Sequence, residues 1–115
     1  MSKAKEFTET INMMEMSNLR PVTTGLSVFI WIDDMGVDRK NKHQSPRLKV
    51  AVQRADNFVA TISIAEDPEI LEGSLDQSDF SKVKEWIILN YEVLVKQWNG
   101  EIEVVDMKPY LKRLQ

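Results

Sequence analysis

Arg47-Leu48-Lys49-Val50-Ala51-Val52-Gln53 and Phe58-Val59-Ala60-Thr61-Ile62-Ser63-Ile64 decide the fold class of this chain. In the first run Leu48, Val50 and Val52 alternate with Arg47, Lys49 and Gln53. In the second, Phe58, Ala60, Ile62 and Ile64 occupy every other position. Side chains on a strand alternate between faces, so each run turns one apolar side to a core and the other to solvent. Arg54-Ala55-Asp56-Asn57 between them reads as a turn, which makes the pair an antiparallel hairpin with a polar, partly basic outer face.

Upstream of the hairpin, Leu26 to Asp33 predicts another strand. Leu26, Val28, Ile30 and Ile32 line one side, with Phe29 and Trp31 on the other. A strand apolar on both faces belongs in the middle of a sheet or is covered twice. A short further strand is expected around Ile70 and Leu71, after Pro68. Asp76 to Trp98 then predicts one long helix. Asp76 or Ser78 can accept the first unpaired N–H groups. Phe80, Val83, Ile87, Tyr91 (or Asn90), Leu94 and Trp98 trace a helical stripe that Trp86 and Val95 widen. Asn99-Gly100 ends the helix, with Gly100 suited to the left-handed position after the cap.

At the N-terminus, residues 3–17 predict an amphipathic helix through Ala4, Phe7, Ile11 and Met14, widened by Met13 and Met16. Asn18 to Gly25, containing Pro21, reads as its connection to the first strand. Past Gly100, a short strand at 101–105 and a turn or helix near Tyr110 to Leu114 complete the chain. The expected architecture is therefore α+β: a mainly antiparallel sheet of three to four strands, with one long C-terminal helix packed on it and an N-terminal helix. Residues 1–115 are read as a single domain: a helical extension over 1–20, a core over 26–99 and a tail over 100–115.

Composition narrows the chemistry. A 115-residue chain that is 43% hydrophobic and 29% charged holds enough apolar material for one core. It has no cysteine, which excludes disulfides, thiolate-bound zinc and thiol nucleophiles. The N-terminus carries no apolar signal run, and Val28 to Ile32 is too short to span a bilayer, so a cytoplasmic location without membrane contact is the simplest reading. Charge is uneven around a net −3. Residues 36–54 carry six bases against Asp38, whereas residues 55–107 carry twelve acids against Lys82, Lys84 and Lys96. Such polarity can steer a partner, although it serves solubility equally well.

The charged connection between Asp33 and Ser45, running on into Lys49, collects the candidate functional residues. Arg39, Lys40, Lys42, Arg47 and Lys49 are the candidates for contacting nucleic-acid phosphates, but no aromatic residue is interleaved with them. Asp33, Asp34 and Asp38 offer oxygen ligands for a hard cation without matching any calcium-loop spacing, so no metal site is assigned and no cofactor is expected. His43 is the only histidine, and no serine sits in a nucleophile context, which leaves no catalytic set. An enzyme would have to recruit Asp33, Asp34, His43 and Lys49 as part of a small metal-dependent nuclease. The leading reading is a non-enzymatic interaction or regulatory module that binds a protein partner or pairs with itself as a dimer, with that nuclease, or a nucleic-acid-binding protein, as the alternative.

Glu69-Ile70-Leu71-Glu72-Gly73-Ser74-Leu75, followed by Trp86 and Trp98 at helical positions, resembles a small family of unknown function met in bacterial and phage genomes. The resemblance spans Leu26 to Asn99. It implies a strand, a His/Pro-rich loop, two strands, this acidic element and a Trp-bearing helix. The family's loop resembles a His-x-Pro-Pro-His-x-His run. Here His43 and Pro46 fit it, whereas Arg47 and Lys49 stand where later histidines would be. Arginine and lysine are neither ordinary metal ligands nor near-neutral bases, so the histidine chemistry of relatives does not carry over. Relatives are often found beside another small gene, an association that resembles a toxin–antitoxin or regulatory pair.

Overall fold

A computed structural model describes residues 16–33, 45–52 and 58–115. Among them, five strands form one sheet: β1 (Met16–Leu19), β2 (Phe29–Asp33), β3 (Arg47–Ala51), β4 (Phe58–Ser63) and β5 (Ile70–Gly73). They lie in chain order, each antiparallel to the next. The expected hairpin is β3–β4, and the strand expected at Ile70 is β5.

The strand beyond the expected three to four is β1. Met16 and Ser17 fall at the end of the helix expected over 3–17, yet they pair with Asp33 and Ile32 as strand, and the rest of that helix lies outside the described residues. Nothing local marks Met16-Ser17-Asn18-Leu19 as strand; the backbone bonds to β2 decide it, overriding a weak helical period. The expected connection after it contains Asn18 and Leu19 of β1 and one helical turn, α1 (Pro21–Thr24). Pro21 opens that turn where no N–H is needed, and Gly25 closes it at φ 84° with its N–H on the Pro21 carbonyl, 2.7 Å away.

The helix expected over 76–98 is two helices, α2 (Gln77–Leu89) and α3 (Tyr91–Trp98), separated by Asn90 at φ −113°. Asp76 caps α2 through its carboxylate, which accepts the Ser78 N–H at 3.2 Å. The break has a cause 22 residues downstream. The buried Asn90 amide donates to the Trp86 and Lys112 carbonyls, each at 3.0 Å, and its oxygen accepts the Lys112 N–H at 2.7 Å. A side chain that serves the backbone of another segment competes with regular helix at its own position. At the far end Gly100, at φ 81°, fills the expected left-handed place: its N–H reaches the Gln97 carbonyl and that of Glu101 reaches Lys96.

The strand expected at 101–105 is instead a helical turn, α4 (Val104–Met107), which buries Val104 and Met107 three residues apart on one side. A 3₁₀ turn over Lys108–Tyr110 follows, ahead of the turn or helix expected at Tyr110 to Leu114. The remaining tail is tied to α1: the Leu114 N–H donates to the Thr24 carbonyl at 2.8 Å, and Arg113 Nε to the Val22 carbonyl at 3.1 Å.

One core joins these elements. Ile30, Ile32, Leu48, Val50 and Ile62 of the sheet cluster with Val83, Trp86, Ile87 and Leu94 of α2 and α3, and with Met107. Among the described residues no helix is long and apolar enough to cross a membrane. Asn90→Ala removes three hydrogen bonds worth roughly 1 kcal/mol each. The expected result is a loss of about 2–3 kcal/mol in urea unfolding, with faster hydrogen exchange at the Lys112 amide. Unchanged exchange at Lys112 would show that Asn90 does not hold the tail.

Candidate functional site

Two surfaces are built from these elements. The first is the sheet face turned away from α2 and α3. Cross-strand pairing lines up Asn18, Trp31, Lys49, Thr61 and Glu72 in one row over all five strands. Phe58 joins that face through a bulge. Val50 pairs with Ala60 but Ala51 pairs with Phe58, so Val59 is an extra residue in β4 and the alternation inverts there. Phe58, expected beside Ala60 and Ile62, therefore meets the Trp31 ring edge-on, with centroids 5.9 Å apart, and lies 5.6 Å from Lys49 Nζ. Trp31 is only 8% exposed, and its indole N–H has no acceptor among the described residues.

The charged-loop candidates divide on this map. Asp34, Asp38, Arg39, Lys40, Lys42 and His43 lie outside the described residues. Asp33 ends β2 half-buried, and its backbone carbonyl accepts the Gln97 side-chain N–H at 2.7 Å, which ties α3 to the sheet. Arg47 turns back on its own loop, donating from Nε to the Ser45 carbonyl at 3.1 Å and from Nη2 to the Ser45 hydroxyl at 3.2 Å. Lys49 Nζ donates to Thr61 Oγ1 at 3.1 Å. Both cations thus spend donors within the sheet and its adjoining loop. Among the described residues no group of three or more His, Asp or Glu is placed to hold a metal ion.

The second surface is a groove of about 770 Å³ where α2 gives way to α3. Ile88 and Leu89 line it from the end of α2, Val93 and Lys96 from α3, and Ile102 and Tyr110 from the segment beyond. It lies at the break: Asn90 and Tyr91 are in its lining, and the tail that Asn90 holds supplies Lys112 to the wall. Three of its apolar side chains face water: Ile88 is 50% exposed, Leu89 42% and Tyr110 68%. The wall also carries Glu92 alongside Lys96 and Lys112. Sequence reasoning missed this surface, although one signal was present. Trp86-Ile87-Ile88-Leu89 is a run of four apolar residues, and successive residues about 100° apart on a helix cannot all face one core.

The element Glu69 to Leu75 occupies β5 and the turn after it, where Gly73 adopts φ 77° against the backbone of β4. The family model for DUF4160, a domain of unknown function, matches residues 25–99. The chain belongs to the DUF4160 family. No curated protein and no solved structure matches the chain. The DUF4160 region covers about two-thirds of the chain, from the end of α1 to the cap of α3. It contains the helix break and most of the groove, including Ile88, Leu89, Glu92 and Lys96, whereas Ile102, Tyr110 and Lys112 come from outside it.

Proposed function

We propose that this DUF4160 protein is a non-enzymatic interaction module, one half of a regulatory pair or a self-associating protein, whose docking surface is the groove between α2 and α3. The observation that carries the reading is the exposure of Ile88, Leu89 and Tyr110 around one concavity. Apolar side chains scattered singly over a surface need no explanation, but several gathered on one groove mark a contact surface. The arrangement suits recognition of a segment with apolar anchors, which displaces water from Ile88 and Leu89 while the charged wall sets its orientation.

The reading as a nuclease or nucleic-acid-binding protein rests on the charged loop. Of its candidates, Asp33, Arg47 and Lys49 lie among the described residues, and their geometry gives it no added support.

The test is a comparison of wild-type protein with the Ile88→Glu/Leu89→Glu double variant, each purified with its associated proteins from native cells. Both positions are at least two-fifths exposed, so stability is expected to change by no more than about 1 kcal/mol. The stoichiometric companion of the wild type, whether a second protein or a second copy, should be lost from the variant. Equal recovery with both forms would contradict the reading.

A further inference from the structure

We infer that the groove is self-complementary and that its occupant is the same groove of a second copy of this chain, related by a two-fold axis. The inference rests on the docking role proposed above and names the partner. In a two-fold contact one patch must supply both halves of every interaction, cavity and filler, cation and anion. This patch does so. Ile88, Leu89 and Tyr110 line the groove and are at the same time exposed apolar surface. They are large enough to enter the equivalent concavity of a partner.

The charges point the same way. Glu92 and Lys96 lie one helical turn apart on α3 and both line the groove. An antiparallel crossing of two α3 helices, centred between these positions, sets Glu92 of each copy against Lys96 of the other, so the symmetry makes the ion pair twice.

Charge elsewhere bears on where such a contact can form. Residues 55–107 carry twelve acids against three lysines, so most of this half of the chain repels its own copy. The groove lining carries Lys96 and Lys112 with Glu92, so the acidic excess of the surrounding surface does not extend into it. In this groove apolar exposure and mixed charge coincide on a concave surface.

Sedimentation equilibrium of the full chain at low salt tests the inference. Wild-type protein should sediment at twice the 13.3 kDa of one chain. Glu92→Lys and Lys96→Glu should each weaken association at least tenfold, because each variant places like charges opposite one another. Mixed in equal amounts, these two variants should recover the dimer as a heterodimer. The lysine introduced in one chain then faces the glutamate introduced in the other, and the native Lys96 of the first faces the native Glu92 of the second. Glu66→Lys, an exposed change outside the groove, should dimerise as the wild type does.

A wild-type chain that stays monomeric into the high micromolar range would overturn the inference, as would single variants that associate normally. If that monomer still loses a companion protein on Ile88→Glu/Leu89→Glu substitution, the docking role stands and only the second copy is wrong. If it loses none, both fail.

Discussion

Trp86→Ala should remove about 3–5 kcal/mol of stability, a large share of the roughly 5–15 kcal/mol that holds a domain of this size folded. Trp86 has no exposed surface and belongs to the cluster that joins α2 to Ile30, Leu48, Val50 and Ile62 of the sheet. Truncation leaves a void the size of an indole between a helix and a five-stranded sheet, and neither can close it without giving up its own hydrogen bonds. Trp86→Phe should cost much less. The indole N–H is buried with no acceptor among the described residues, so replacing it removes an unsatisfied donor worth about 1–3 kcal/mol while most of the ring volume stays. Urea unfolding followed by far-ultraviolet dichroism separates the two. A phenylalanine variant as unstable as the alanine one would mean that the indole N–H is satisfied and that its geometry matters.

Gly73→Ala is the second large effect. Gly73 sits at φ 77°, and a Cβ built there would lie 2.1 Å from the Val59 carbonyl oxygen. The left-handed conformation costs an alanine roughly 1–2 kcal/mol, and the overlap adds about 1–3 kcal/mol more. The total of about 2–5 kcal/mol should appear as weakened pairing of β5 with β4, because the carbonyl belongs to β4 itself. The Val59 oxygen also accepts the Ser74 N–H at 3.0 Å, so a shift there releases the turn into Leu75 as well.

Gly25 makes a useful contrast. Its Cβ would also meet a carbonyl oxygen at 2.1 Å, but that one belongs to Leu114 in the C-terminal tail. The tail is held by a few bonds whereas β4 is paired on both sides, so Gly25→Ala should cost less and show mainly as faster hydrogen exchange at the Leu114 amide. Equal global losses from the two substitutions would contradict this assignment of which carbonyl can yield.

These glycines show what was legible in the sequence. Gly100 could be placed by its neighbours alone, since a helix end selects a left-handed residue locally. The hairpin was equally local, two alternating runs about one turn. The features that escaped depend on distant partners. β1 is four residues without strand character, made a strand by β2. The break at Asn90 leaves the apolar stripe intact on both sides, and its cause is the Lys112 backbone. The inverted face of Phe58 follows from one extra residue, Val59, inside a run whose alternation is otherwise regular. The groove lies at that hidden break, so it too was out of reach except for the surplus of apolar residues at Trp86 to Leu89. The family resemblance located the domain between Leu26 and Asn99, in agreement with the match over residues 25–99, and left its working surface open.

The groove at the end of α2 is, on this account, where the protein meets its partner. Site-specific photo-crosslinking tests that most directly. A benzophenone side chain is placed at Ile88, or at the exposed Glu66 as a control, in the full chain produced in its native cells. A single discrete adduct from position 88 and none from position 66 is the expected result, and its mass tells a second copy from a different protein. No adduct at position 88, or the same adduct from both positions, would contradict the account.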